Sequence, residues 1–316
     1  MPPITIGNTT VVPGTEQRLD LPVARLPTQT MLSLPIHLIN GASDGPHLWL
    51  SAAIHGDELN GVEIIRQVLE KIQPSTLRGA LITVPIVNMF GFIEQSRYLP
   101  DRRDLNRSFP GSARGSLASR LAHLFMKEVV NHCSHGIDLH TASNHRVNLP
   151  QIRANLDHPE TYRCAQAFGA PVIIHANTRD GSLRQAAAKQ DISVLLYESG
   201  EALRFDQHAI SVGVKGVLQV MAILGMITVP PPEVRQVSLE SRETRWVRAS
   251  RSGILHLQIE LGQTVTKRQK LGHIADAFGE SMRKVQAPCD GIIVGFAKNP
   301  LVNQGDGIVH VASIQR

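Results

Sequence analysis

The sequence predicts an α/β chain: a mixed, mostly parallel sheet flanked by helices, followed by an all-β region. Three observations predict it. Between residues 48 and 224, apolar runs of strand length alternate with segments of helical period. A triple proline, Pro230-Pro231-Pro232, then breaks that rhythm. Beyond it, short strands and glycine turns continue with no helical period.

The elements follow in order. Residues 1–47 are rich in Pro, Thr and Leu and partly alternate, so they read as lead-in strands. Leu48 to Ile54 is a near-continuous apolar run, as a strand buried on both faces requires. From Glu58 to Ile72, apolar residues recur at three and four: Leu59, Val62, Ile65, Leu69 and Ile72. Pro74 stops that helix. A strand is expected over 80–87 and a helix over 116–130, with Leu117, Leu121, Leu124, Phe125 and Val129 on one face. Then come strand 137–140, helix 159–168, strand 172–175, helix 182–190, strand 194–197 and the long helix 207–224. The prolines can neither continue a helix nor pair as a central strand. They mark residues 229–240 as a stiff linker between a first domain, 1–228, and a second, 241–316.

The second domain carries a weak repeat. Residues 265–275 match 302–312, and each copy follows a Gly-Ile pair, Gly253-Ile254 and Gly291-Ile292. Two such halves resemble the barrel-sandwich fold of biotinyl and lipoyl carrier domains. Those domains hold a modified lysine at a central hairpin tip. Residues 275–280 contain none, and Lys284 sits too close to Ala287-Pro288. The expectation is a structural role or homo-oligomer assembly, with no prosthetic group and no proposed ligand or catalytic group beyond Glu198.

Composition excludes several classes. The 316 residues carry a net charge of +5, with Lys and Arg scattered, so neither a nucleic acid nor a membrane surface is an expected partner. No run of about 18 apolar residues offers a membrane span. The opening Met1-Pro-Pro-Ile-Thr-Ile lacks a signal-peptide pattern. Cys133, Cys164 and Cys289 are odd in number, widely spaced and without CxxC, which reads as reduced thiols in a cytoplasmic protein.

Polar residues that close apolar runs carry the chemistry. His55 follows the run 48–54, and Glu58 stands three residues on. His140 closes Gly136-Ile-Asp-Leu-His140, and Glu198 closes Ile192 to Glu198. In an open α/β sheet, strand ends are where sites form. Two imidazoles and a carboxylate suit Zn²⁺ with a fourth position open for catalysis. Asp138 lies on the same face of its strand as His140. It reads either as a second contact that orients the imidazole or as a plain structural hydrogen bond.

Between the first two strand ends lies Ser96-Arg-Tyr-Leu-Pro-Asp-Arg-Arg-Asp-Leu-Asn-Arg-Ser-Phe-Pro-Gly111. With His55-x-x-Glu58, Gly136 to His140 and Tyr197-Glu-Ser-Gly200, this string resembles the succinylglutamate desuccinylase/aspartoacylase family of zinc hydrolases. The resemblance runs over residues 30 to 316. It implies a zinc carboxypeptidase-like fold and one Zn²⁺ per chain, held by His55, Glu58 and His140. It implies Glu198 as the catalytic carboxylate and Arg97 as the group that polarises the scissile carbonyl. Asn106 and Arg107 would grip a substrate carboxylate, and Arg153 would face the substrate. The implied substrate is a small N-acyl amino acid. Peptide carboxypeptidase action and a non-catalytic scaffold are the competing readings. The aspartoacylase branch also brings a tyrosine from its C-terminal part, whereas Tyr98, Tyr162 and Tyr197 all precede residue 229. N-acetylaspartate is therefore not the expected substrate.

Overall fold

Leu48, Trp49 and Leu50 are all fully buried, as a strand covered on both faces must be. The computed structural model describes residues 1–143, 145–229 and 237–314. Its lead-in strands are β1 (Ile4–Ile6), β2 (Thr9–Val11), β3 (Thr15–Arg25) and β4 (Met31–Asn40). The alternating region begins with β5 (Ser43–Ala52), α1 (Asn60–Leu69), β6 (Arg78–Val84), α2 (Met89–Ile93) and α3 (Leu117–Glu128). It continues through β7 (His135–Ala142), β8 (Arg146–Ala154), α4 (Pro159–Phe168) and β9 (Val172–His175). It ends with α5 (Leu183–Ala188), β10 (Ser193–Glu201) and α6 (Gln207–Ile223). The remainder is all β: β11 (Leu239–Ser241), β12 (Thr244–Arg248), β13 (Gly253–Leu257), β14 (Thr264–Val265) and β15 (Lys270–Ala275). After these come β16 (Arg283–Gln286), β17 (Gly291–Ala297), β18 (Leu301–Val302) and β19 (Gly307–Ser313).

Local chemistry sets the helix starts. Ser116, Ser182 and Asp206 each cap a helix by accepting a hydrogen bond from a first-turn N–H. Pro159 opens α4, and Gly169 closes it in the left-handed region at a φ of 71°.

One large sheet runs β12-β19-β17-β8-β10-β7-β5-β6-β4-β3. Its central strands β6, β5, β7 and β10 are parallel, as helical crossovers require. The expectation of a mostly parallel sheet stops there. β3, β4, β8, β17, β19 and β12 join antiparallel along this path, so the sheet is mixed. Strands linked by short turns, such as β3 and β4, have no crossover helix and pair antiparallel.

Alternation divides the side chains between two layers. Leu48 and Leu50 pack with α1, α4 and α6, while Trp49 packs with α3 and the lead-in strands. No helix among the described residues is long and apolar enough to cross a membrane.

The all-β part has its own core around Leu271, Ile274, Ile293 and Ile308. The sheet β16-β15-β13-β18 supplies one side of it. Lys284 lies within β16, opposite His273, and not at a hairpin tip. Yet this part also continues the large sheet. Gly295, Phe296 and Ala297 of β17 pair with Asn148, Val147 and Arg146 of β8, and a small core of Val172, Ile174, Ile292, Val294 and Ala312 spans the join. Residues 230–236, with the triple proline, lie outside the described residues. At the end of the expected linker, Leu239–Ser241 is a strand paired with β9.

Candidate metal centre and pocket

The chain leaves β5 at Ala52 and turns at Ala53, whose φ is 48°. Gly56 then lies against the start of α2, where a Cβ would come 1.9 Å from the backbone carbon of Gly91. Only glycine permits that approach, and it sets His55 and Glu58 at the C-terminal end of β5. His140 lies near the same end of the neighbouring β7, and Glu198 of β10 is its register partner. Three adjacent parallel strands thus deliver their polar ends to one place.

His55, Glu58 and His140 are all buried there, with ligand atoms within 4.8 Å of one another. Both rings present Nδ1 to Glu58: His55 at 2.7 Å from Oε1 and His140 at 2.7 Å from Oε2. The outer nitrogens are held by carboxylates. His55 Nε2 lies 3.2 Å from Asp104, and His140 Nε2 lies 2.8 Å from Asp138. The backbone N–H of Thr141 donates to Glu58 Oε2 at 3.1 Å. Two converging Nδ1 atoms, one carboxylate, and a carboxylate behind each ring make a donor set that fits a divalent ion such as Zn²⁺.

Burial disfavours the charge on Glu58, but the flanking imidazoles outweigh it and hold the carboxyl well below its usual range. Burial likewise opposes the protonated forms of His55 and His140. Glu58 with Asp104, and Asp138 with Glu58, reverse that and raise both. Arg97 donates to Glu58 at 3.3 Å and to Asp104 at 3.0 Å. Glu198 Oε2 accepts from Asn148 Nδ2 at 2.8 Å, and Oε1 makes no hydrogen bond among the described residues. Burial raises the Glu198 pKa, with Arg153 and His140 opposing.

These groups face a cavity of about 490 Å³. All eight residues singled out in the sequence line it: His55, Glu58, Arg97, Asn106, Arg107, His140, Arg153 and Glu198. Asn106 is buried, its Oδ1 accepting from the N–H of Leu183, whereas Arg107 is exposed at the mouth. Arg146, Arg179, Arg184 and Arg248 also line the cavity, so seven arginines face two carboxylates, Glu58 and Glu198.

Sequence reasoning missed Asn148, those four arginines, Trp246 and His310, and gave Asp104 no role. Trp246 and His310, with Arg248, bring the all-β part to the cavity wall, although no proposed ligand or catalytic group lies beyond Glu198. The repeat held a partial signal, since His273 and His310 occupy equivalent places. Only the fold tells them apart: His273 stacks on His256, and His310 on Trp246 beside the cavity. A second group, His135, Glu160 and Cys164, lies at the other end of β7. There Glu160 is already engaged by His135 and Arg163.

Comparison with known proteins adds an independent finding. Residues 44–224, over half of the chain, match the family described as succinylglutamate desuccinylase/aspartoacylase catalytic domain. The chain is 25% identical over 294 residues to the N-alpha-acetyl-L-2,4-diaminobutyric acid deacetylase of Halomonas elongata, covering 89% of this chain and 86% of that protein. Among solved structures, a succinylglutamate desuccinylase/aspartoacylase from Rhodobacter sphaeroides superposes with a TM-score of 0.86 at 24% identity, covering 95% of this chain and 96% of the other. The product-bound ectoine utilization protein EutE of Ruegeria pomeroyi gives a TM-score of 0.86 at 21% identity, with both chains covered fully at 100%. These two likenesses concern the fold.

Proposed function

The chain belongs to the succinylglutamate desuccinylase/aspartoacylase family, and on that premise we propose that it is a zinc-dependent deacylase that hydrolyses the amide bond of a small N-acyl amino acid. One observation carries the reading. Two imidazole Nδ1 atoms and Glu58 converge at the strand ends, with Glu198 in register beside His140. A Zn²⁺ held by His55, Glu58 and His140 would act as a Lewis acid and lower the pKa of a water towards ~7.

The remaining chemistry belongs to side chains. Glu198 Oε1 takes the proton of the attacking water and later returns it to the leaving amine nitrogen. Asn148 holds the other oxygen of that carboxylate and so aims it. Arg97, anchored by Glu58 and Asp104, offers charge to the carbonyl oxygen as it becomes an oxyanion. Asn106 and Arg107 bind the free carboxylate of the amino acid; a guanidinium keeps its charge and matches a carboxylate geometrically.

The test is metal content together with release of primary amine from a panel of N-acyl amino acids and dipeptides. Zinc near one per chain with turnover of N-acyl amino acids supports the reading. Turnover of dipeptides alone would favour a carboxypeptidase, and no turnover of either, with zinc present, would favour a scaffold.

A further inference from the structure

At the end of β7 away from His140, three different donor types meet. Glu160 and Cys164 stand one turn apart on α4, so they share a face of that helix. His135 opens β7 and reaches the same face, its Nε2 3.0 Å from Glu160 Oε1. The ligand atoms of the three residues lie within 4.8 Å of one another. His135 Nδ1 lies 2.8 Å from Ser134 Oγ, so the ring is aimed from behind, as a metal-binding imidazole is.

Imidazole, carboxylate and thiol together suit a borderline or soft divalent ion and not Ca²⁺ or Mg²⁺, which take oxygen ligands. Tetrahedral bonds of about 2.0–2.3 Å put donor atoms about 3.3–3.8 Å apart, so the cluster has to close by about 1 Å at its widest. Arg163 donates to both Glu160 oxygens, at 2.8 Å and 2.6 Å, and with His135 holds that carboxyl down to about 2. A carboxylate oxygen accepts more than one partner, so Arg163 can stay while an ion takes the place of the His135 contact. His135 and Glu160 are half-buried and open to solvent, whereas Cys164 is a buried free thiol. Without an ion, burial and the neighbouring Glu160 push that thiol up to about 12.

We propose that His135, Glu160 and Cys164 form a second metal site, for a thiophilic divalent ion such as Zn²⁺, Co²⁺ or Cd²⁺, which clamps α4 to β7. The proposal is independent of the deacylase reading. As the sulfur–metal bond forms, the S–H bond of Cys164 breaks and its proton goes to solvent. The neutral imidazole keeps its one proton on Nδ1, donating to Ser134 Oγ, and offers Nε2 to the ion. Thiolate and carboxylate then balance the two charges of the metal. Loss of the thiol proton makes this the weaker of the two sites, filled only by ion added beyond one per chain.

Co²⁺ is the probe, because a sulfur-to-cobalt charge-transfer band reports a thiolate ligand, and His55, Glu58 and His140 supply none. The full chain, loaded with one equivalent of zinc, is titrated with Co²⁺ without oxygen. A further equivalent should raise the band and release about one proton per ion, read by calorimetry in buffers of different ionisation heat. Cys164→Ala should abolish the band, and Cys289→Ser should leave it unchanged. His135→Gln should weaken binding by at least the ~10-fold that loss of a supporting contact alone costs. Absence of the band, or its survival in Cys164→Ala, would overturn the proposal. A band unmoved by His135→Gln would show a cysteine binding alone and would overturn it too. The His135 variant alters a half-buried strand end, so it decides the matter even where the Cys164 variant fails to fold.

Discussion

Asp138 Oδ2 lies 2.8 Å from His140 Nε2, while the other ring nitrogen meets Glu58. The contact fixes which nitrogen of His140 faces the ligand cluster. Asp138 is itself held by Ser51 Oγ at 2.8 Å, so the orienting carboxylate is buttressed from β5. On the proposed metal centre, this contact supports the reading in which Asp138 orients the His140 imidazole.

Asp138→Asn should therefore weaken metal affinity by about ten- to a hundredfold, the usual scale for such a supporting carboxylate. His140→Ala should abolish metal retention. Chelator competition followed by metal analysis reads both variants. A His140→Ala protein that kept full zinc occupancy would place the metal elsewhere.

Glu198→Gln should keep the metal and lose at least ~10²-fold in kcat, because an amide cannot accept the proton of water. Steady-state kinetics on the zinc-loaded variant give the answer. An active variant would leave the metal centre standing without its proposed base.

Arg107→Ala should cost about tenfold in kcat/KM on substrates with a free α-carboxylate. The loss is kept small because Arg107 is exposed, and water screens its charge. Amidating that carboxylate should cost the wild type a similar factor and the variant little more. Independent, additive losses would show that Arg107 and the carboxylate do not meet.

His310 should make stability depend on pH. Burial, with Arg153 and Arg146 nearby, lowers its folded pKa to about 3, and an unfolded histidine titrates near 6.5. Between those values the unfolded chain binds the extra proton. The stability contribution is then complete above about pH 6.5 and is lost as pH falls through the window. His310→Gln should flatten the slope of unfolding free energy by up to ~1.4 kcal/mol per pH unit. Urea unfolding of both proteins from about pH 4 to 7 measures the difference, which would vanish if His310 titrated like an exposed group.

The proposed metal ligands and Glu198 were legible because His55, His140 and Glu198 follow or close apolar runs, and those runs became β5, β7 and β10. The site's antiparallel neighbour was not. β8 turns Arg146, Asn148 and Arg153 towards the cavity, and Pro150 interrupts it, so its pattern lacks a strand's apolar alternation. Trp246 and His310 escaped notice for a different reason. Their place depends on β17 joining β8, a pairing between distant segments that no local period announces. The same pairing means that a chain cut at Pro232 loses more than its all-β part. Such a cut strips β8 of one partner and the cavity of one wall.

That join also sets an order of events during synthesis. His55, Glu58, His140 and Glu198 all leave the ribosome before β17, so a nascent chain can gather its ligands first. Until Gly295 arrives, Arg146 to Asn148 present an unpaired strand edge, a template for mispairing with another chain. Arg146, the basic side chain on that edge, repels a second copy of it. A charge that lines the finished cavity thus also guards the unfinished molecule against its own kind.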